Sequence, residues 1–555
     1  MTAGRITALI ARFRSDTRAN IAVIFAIATV PILTAVGCAT DYSMAARMKS
    51  KMQSSADSAA VASVSANGAG WAAAMQMTSN GSVAAGVTEA NNVFNGNAAT
   101  YSGYQNLSAN STVTKTGSTL NSVVNFSADV PVTFMRIAGW TTMHVTGRSS
   151  ASASLPLYLD FYLMLDVSSS MGLPSTTAEA VRMQNINPDN YVQYPTGCTL
   201  ACHFQPQNSA CKDPPVTPPA APASNPPTNS NYTQRYNTNN YCMGYIYSRL
   251  SQSSLSALIS QASTPSVPKQ VPGLPVAMLS HLNNTVTSGS SNSLITGNVN
   301  SLPYSLPAVA NCPTDGTDAC IQLRLDAVGS AVNALFATAN DPSYQKVTGQ
   351  FRIGLYPYIT SLYSTYFPLT SSINGSATNS STINYAAANL ASLLDTNMNS
   401  NLGSGGTNQD AALSSMNTLI TSVGNGSASN NTLPYVFIVT DGAVTPQTKG
   451  VPNGSWGGSN HDTTIPIPDT NCTTMKSRGI TISILNIPFQ PISPVNASFA
   501  GDEDDAANTN IPNIEPSLKA CASPGFYYKA STPNAISQAL QDMFKHALVT
   551  AHITN

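Results

Sequence analysis

The chain has 555 residues, of which 9% are charged, and its formal net charge is −1 at pH 7. An ordinary globular protein has about 25% charged residues, so the surface of this one is unusually neutral. There is no basic patch that would favour nucleic acid as a partner. Hydrophobic residues make up 42% of the chain, enough for a sizeable core, and the length predicts more than one domain.

An apolar segment near the amino end is the first predicted element. Residues 21–40 carry no charge, and a run of about twenty such residues can span a bilayer as a helix. Pro31 predicts a kink, which membrane helices tolerate. Arginines upstream of the run predict that residues 1–20 form a cytoplasmic tail, although basic residues also follow at 47–51.

Two alternatives to a retained anchor stay open. A cleaved signal peptide usually has a shorter apolar core and a small-residue exit site. The segment Ala35–Cys38 is similar to a lipoprotein processing site, but it lacks the usual leucine at its first position. We expect a single-pass anchor.

A helix and a small β-rich module are predicted for residues 41–155. An apolar stripe predicts that the helix runs from about residue 41 to residue 64. The stripe consists of Met44, Met48, Met52 and Ala56. Such a helix either covers its own domain or, like a pilin helix, packs against partner subunits. From about residue 70, polar and β-branched residues alternate, which predicts strands.

The first 65 residues resemble the TadE/TadG-type leader of tight-adherence (Flp) pilus assembly proteins. The resemblance rests on Ala19–Ala26, on Asp41 and Tyr42, and on Gln53–Ala60. It implies an anchor in the inner membrane of a bacterium. The span lacks the glutamate that type IV prepilins carry near its start, so we expect the anchor to be uncleaved.

Residues 156–555 predict an α/β domain. Apolar runs predict strands, and those without interruption suit burial on both faces of a sheet. The runs are Leu157–Leu165, Arg352–Ile359, Tyr435–Val439, Ile480–Ile487 and a short edge strand at Phe526–Tyr528. Helical spacing begins near Ile321 and again at Pro533. Strands that alternate with helices predict a doubly wound, mostly parallel sheet.

Three polar segments far apart in the chain predict a site for a divalent cation. Two of them follow predicted strands, where parallel α/β sheets bind their ligands. The candidate ligands are Asp166, Ser168, Ser170, Thr407 and Asp441. Carboxylate and hydroxyl oxygens are the ligands that Mg²⁺ prefers, and Mn²⁺ or Ca²⁺ uses similar oxygens. The alternative is that these side chains only cap helices.

This set resembles the metal-ion-dependent adhesion site of von Willebrand factor A (VWA) domains. In that family the pattern is D-x-S-x-S, a distant threonine and a distant aspartate, and all five positions match here. The resemblance implies a coordination position that a carboxylate of a protein partner fills. A TadE/TadG-like anchor followed by a VWA domain is similar to the TadG type, which implies that the partner is a pilus component or an envelope protein.

An insertion is predicted after the first strand of this domain. Residues 172–317 separate the loop after the first strand from the next predicted helix. They contain cysteines and a proline-rich run that suits neither a helix nor the interior of a sheet. The insertion emerges from the loop that carries Ser168 and Ser170. We hypothesise that it selects the partner that reaches the ion; the alternative is a surface insertion without that role.

Eight of the nine cysteines follow the apolar segment, and this even number favours disulfides outside the cytoplasm. Cys472 and Cys521 precede successive late strands, so we expect them to join neighbouring elements, and Cys312 and Cys320 are close enough to pair. The pairing of four further cysteines stays open. They are Cys198, Cys202, Cys211 and Cys242, of which the first three, with His203, are an alternative zinc site.

No motif of a metalloprotease, a P-loop enzyme or a serine hydrolase is present. We therefore expect a non-enzymatic protein. A surface adhesin that binds a host or matrix ligand is the alternative to a pilus assembly factor. A metal-assisted hydrolase would need a general base beside the ion, and the candidates are Asp166 and Asp441, which are already predicted ligands.

Overall fold

The computed structural model of the protein describes residues 20–66, 68–180, 321–394, 401–403, 406–444, 469–489, 491 and 504–553. The chain divides into two compact units, residues 1–156 and residues 157–555. Each unit has its own sheet and its own hydrophobic core.

The described part of the first unit combines three helices with an antiparallel sheet. The helices are α1 (Asn20–Val64), α2 (Ala69–Gln76) and α3 (Ala84–Ala98). The strands are β1 (Gly81–Ser82), β2 (Gln105–Thr116), β3 (Thr119–Pro131) and β4 (Thr142–Ser154), paired in the order β1-β2-β3-β4. A short 3₁₀ helix, Met135–Ala138, lies between β3 and β4.

Helix α1 has two halves with different surroundings. Among the described residues it is the helix that is long and apolar enough to cross a membrane. Its second half covers the sheet of its own unit, with Ala45, Met52 and Ala56 buried in the same core as Phe94. Met44 is 50% exposed, so it is not part of the buried stripe. A strict spacing of four residues drifts around a helix of 3.6 residues per turn, and the real stripe alternates three and four.

The predicted β-rich module begins later than the alternation suggests. Helices α2 and α3 occupy much of residues 69–98, where strands were expected. Alanine, the best helix former, accounts for half of α2.

The second unit contains a six-stranded sheet. Its strands are β5 (Leu159–Asp166), β6 (Phe351–Tyr358), β7 (Phe367–Thr370), β8 (Leu433–Thr440), β9 (Thr481–Asn486) and β10 (Tyr527–Lys529). They are paired in the order β10-β9-β8-β5-β6-β7. Only the edge strand β7 is antiparallel to its neighbour. The mixed α/β class is thus confirmed.

Helices cover both faces of this sheet. They are α4 (Arg324–Ala339), α5 (Ile383–Ala388), α6 (Gln409–Leu419), α7 (Thr470–Ser477), α8 (Asp504–Cys521) and α9 (Pro533–Ile553). Alternate residues of β5 enter opposite cores: Phe161 and Leu163 pack with α4, α5 and α9, whereas Tyr162 and Met164 pack with α6, α7 and α8. Burial on both faces explains the uninterrupted apolar runs. A disulfide joins Cys472 to Cys521, as predicted.

The two ends of the predicted insertion lie side by side. Pro174 and Leu323 form an isolated β-bridge. The Gln322 backbone N–H donates to Glu179 Oε2 at 2.7 Å, and Ser175 Oγ donates to Gln322 Oε1 at 2.7 Å. Residues 181–320, with six of the cysteines and the alternative zinc ligands, lie outside the described residues.

Candidate metal site

The two predicted carboxylates lie at the point where the strand order reverses. Counted from β5 within the second unit, the order from β7 to β10 reads 3-2-1-4-5-6. In a doubly wound sheet with this order, ligands bind beyond the carboxyl ends of the first and fourth strands. Asp166 is the last residue of β5, and Asp441 directly follows β8. Asp166 is 1% exposed and Asp441 is 0% exposed.

The loop after β5 folds back onto Asp166. Ser168 Oγ donates to Asp166 Oδ1 at 2.6 Å, and the Ser168 backbone N–H donates to the same oxygen at 3.0 Å. Ser170 Oγ lies 3.4 Å from Ser168 Oγ. Three of the five predicted residues therefore form one hydrogen-bonded group.

Thr440 holds the second oxygen of Asp166, a role that no sequence motif indicated. Its hydroxyl donates to Asp166 Oδ2 at 2.7 Å and accepts the Gly442 backbone N–H at 2.9 Å. Gly442 has φ +82°, and a Cβ there would lie 2.5 Å from Ile514 Cγ2. Only glycine suits this close turn.

One of the two carboxylate oxygens of Asp441 forms no hydrogen bond with the described residues. Its Oδ1 accepts the Ala443 backbone N–H at 3.2 Å, whereas Oδ2 has no hydrogen-bond partner within the described part of the chain. A buried carboxylate oxygen without a partner is unfavourable. Burial raises the pKa of Asp441, opposed by the nearby Ser170 hydroxyl and the charge of Arg324.

The two carboxylates repel each other when both are ionised. Burial raises the pKa of Asp166 to about 7, and the charge of Asp441 adds to this rise. Tyr358, paired with Asp166 across β5 and β6, is buried too. Burial and the charge of Asp166 raise the pKa of its phenol well above 10.0, so it stays neutral. A cation bound between these carboxylates would take the place of that proton.

Arg324 is a buried positive charge beside this pair. It begins α4, and its backbone N–H donates to Leu173 O at 2.8 Å, directly after the loop of Ser168 and Ser170. Its Nη1 has no hydrogen-bond partner among the residues described. Burial lowers the pKa of this guanidinium, and Asp441 opposes that change. The sequence offered no signal for Arg324, because the insertion separates it from the loop.

The segment with Thr407 is tied to the same edge of the sheet. The Asn408 backbone N–H donates to Ile359 O at 2.8 Å, one residue beyond β6, and the Asn408 side chain caps α6. Thr407 is 5% exposed. Its hydroxyl forms no hydrogen bond with Asp166 or Asp441 in the described structure. The backbone therefore brings Thr407 to this edge without a direct link to the carboxylates.

The residues at this edge fit a hard divalent cation. The described residues contain no cluster of three or more His, Cys, Asp or Glu side chains. An ion here would therefore use hydroxyl oxygens beside two carboxylates, a donor set that suits Mg²⁺, Mn²⁺ or Ca²⁺ better than zinc. Asp441 Oδ2, buried and without a partner, is the observation that favours an ion.

Comparison with known families identifies the amino-terminal part of the chain. Residues 19–74 match the Flp pilus-assembly TadE/G-like family. The match covers residues 19–65 of the predicted leader and the whole of α1. A search of curated proteins returned no match.

Several solved structures are distantly similar to the chain. The PilB minor pilin from Streptococcus sanguinis has 10% identity and a TM-score of 0.29, over 80% of this chain and 78% of that chain. The pilus adhesin SpaC from Lactobacillus rhamnosus GG has 9% identity and a TM-score of 0.27, over 80% and 34%. The vWF domain of the type V pili tip protein Mfa5 from Porphyromonas gingivalis has 12% identity and a TM-score of 0.24, over 41% and 89%. TM-scores below 0.5 do not establish a shared fold.

Proposed function

We propose that this protein is a non-enzymatic, membrane-anchored factor of Flp pilus assembly. In this proposal α1 anchors the chain in a bacterial inner membrane, and the rest lies outside the cytoplasm. The second unit is a VWA domain that binds an acidic group of a pilus component or envelope protein through a divalent cation. The match of residues 19–74 supports the pilus context.

The proposed ligands are Asp166, Ser168, Ser170, Thr407 and Asp441, with Mg²⁺ as the ion. Bound there, the ion would supply a positive centre for a carboxylate oxygen of the partner. Asp166 and Asp441 would balance its charge, while Thr440 would hold Asp166 in place. The observation that carries this proposal is the pair of buried carboxylates at the ends of β5 and β8, the two strands between which the strand order reverses.

A genetic test separates this function from that of an adhesin. Strains carrying Asp166→Ala or Asp441→Ala are compared with an Asp542→Ala strain, which loses an exposed carboxylate on α9. We expect loss of pili in the first two strains at normal protein levels, and normal pili in the third. Normal pili with lost surface attachment would overturn the assembly role in favour of the adhesin.

A biochemical test addresses the ion. Full-length protein extracted from membranes is used to capture pilus and envelope proteins with Mg²⁺ or with EDTA. We expect capture that needs Mg²⁺ and is lost in the Asp441→Ala variant. Capture that is equal with Mg²⁺ and with EDTA would contradict the proposal.

A further inference from the structure

The connection between β3 and β4 exposes three large apolar side chains. Phe134 is 43% exposed, Ile137 is 75% exposed and Trp140 is 59% exposed. They lie within ten residues of one another, around the 3₁₀ helix Met135–Ala138. We call residues 133–141 the apolar loop. Isolated exposed hydrophobics are common, but a group of this kind marks a contact surface.

Asp41 fastens the apolar loop to α1. Its Oδ1 accepts the backbone N–H of Thr133 at 3.0 Å, and its Oδ2 accepts those of Phe134 and Met135 at 2.8 and 2.7 Å. Asp41 is the first charged residue after the uncharged run 21–40. The loop is therefore held at the end of the segment that we propose to span the membrane.

Phe134 lies against the apolar half of α1 itself. A Cβ built on Gly37 would be 2.5 Å from Phe134 Cβ, so the phenylalanine contacts the helix where glycine leaves room. Gly37 precedes Asp41 by four residues, or about 6 Å along a helix. The ring thus lies level with the last turn of the uncharged run.

We propose that the apolar loop inserts into the interfacial region of the lipid bilayer, on the side where residues 41–156 lie. Tryptophan favours this depth because its ring is apolar and its N–H is polar. Arg136, exposed between Phe134 and Ile137, would pair with lipid phosphates. This inference rests on the proposal that α1 spans a membrane.

Continuity with the anchor favours lipid over a protein as the occupant of this surface. The apolar side chains of α1 next to the loop are themselves exposed, as for Ile32, Leu33 and Val36, which are 59–62% exposed. Lipid that surrounds these side chains would also meet Phe134. Insertion would fix the rotation and tilt of α1, because interfacial aromatic residues anchor a helix at a given depth.

Trp140 makes the proposal testable in the full-length protein. Wild-type protein and Trp140→Phe protein are reconstituted in phosphatidylcholine–phosphatidylglycerol vesicles, with or without bromine on the acyl chains near the headgroup. The difference in fluorescence quenching between the two proteins reports on Trp140 alone, because Trp71 and Trp456 are present in both. We expect Trp140→Phe to remove most of the quenching by brominated lipid, and Trp71→Phe, a change of a buried residue, to leave it.

Equal quenching of wild-type and Trp140→Phe protein would overturn the proposal. Shielding of Trp140 from aqueous acrylamide without quenching by brominated lipid would also overturn it, because a protein surface would then cover the loop. Flotation of the vesicles tests the anchor separately. If the protein floats with the vesicles but Trp140 is not quenched, insertion of the loop alone is refuted. If the protein does not float, the proposal that α1 spans the membrane is refuted as well.

Discussion

The hydroxyl of Thr440 donates a 2.7 Å hydrogen bond to Asp166 Oδ2, across the carboxyl ends of two neighbouring parallel strands. This bond leaves Ser168 on one oxygen of the carboxylate and Thr440 on the other. In the proposed site Thr440 would orient the ligand Asp166 and so support cation binding without contacting the ion.

Thr440→Val should weaken cation binding. The valine keeps the shape of the threonine but cannot hold Asp166, and loss of such a supporting hydrogen bond typically weakens metal affinity by about 10–100-fold. The affinity for Mn²⁺ is measured by calorimetry on the full-length protein in detergent. Thr440→Ser, which keeps the hydroxyl, should bind like wild type; equal affinities of the valine variant and wild type would contradict the orienting role.

Arg324→Gln should strengthen cation binding. In the wild-type protein the guanidinium partly balances Asp441, so an incoming ion meets a smaller negative charge. Without it the attraction grows, and we expect roughly tenfold tighter Mn²⁺ binding or more. The variant should also lose stability in EDTA and regain it with Mg²⁺, measured as the shift in Tm. Arg324→Lys, which keeps the charge, is the control; weaker binding by the glutamine variant would contradict this prediction.

Stability without a cation should fall as the pH rises. Burial raises the pKa of Asp166 from 3.8 to about 7, so the folded protein holds a proton that the unfolded chain has released. This contribution to stability is present below the unfolded pKa and is lost as the pH rises through the folded one.

The pH effect is measured as Tm in EDTA from about pH 5 to about pH 8. We expect the wild-type Tm to fall relative to that of Asp166→Asn, which carries no ionisable group at this position. Mg²⁺ should reduce the difference because the ion replaces the proton. A wild-type Tm that rises relative to the variant over this interval would show the opposite sign.

Removal of residues 181–320 should leave the second unit folded. The ends of the removed segment are already joined by the Pro174–Leu323 bridge and by the bond from Gln322 to Glu179, so a short glycine–serine linker suffices. We expect unchanged Mn²⁺ affinity and altered partner selectivity in the capture assay. Unchanged selectivity would end the hypothesis that the insertion selects the partner.

The strands and the carboxylates of the second unit could be predicted because their signals are local. An apolar run without interruption is required of a strand buried on both faces, and a carboxylate at its end stands out. Asp166 and Asp441 are such residues. The helix stripe was wrong at Met44, because a spacing of four residues alone does not follow the turn of the helix.

The remaining parts of the site depend on contacts that the sequence does not display. Thr440 is an ordinary strand residue until β8 is placed beside β5. Tyr358 lies beside Asp166 because β6 pairs with β5, and the sequence does not show that pairing. Arg324 meets the loop across the insertion, at a sequence distance where no periodicity applies. The short strand β7 and the eight-residue helix α2 lacked the length that makes a pattern readable. Helix α3 is long enough at 15 residues, and its buried residues Gly86, Ala90, Phe94 and Ala98 recur at helical spacing, but the polar and β-branched residues between them favoured strands.

Calorimetric titration of Mn²⁺ into wild-type and Asp441→Asn protein tests the central claim most directly. The substitution keeps the size of the side chain and removes the negative charge of the carboxylate. Oδ2 of that carboxylate is buried and has no hydrogen-bond partner among the described residues. We predict that the wild type binds one ion that the variant does not bind, while the exposed control Asp542→Asn binds like wild type. Equal binding by all three proteins would contradict a cation site at the ends of β5 and β8.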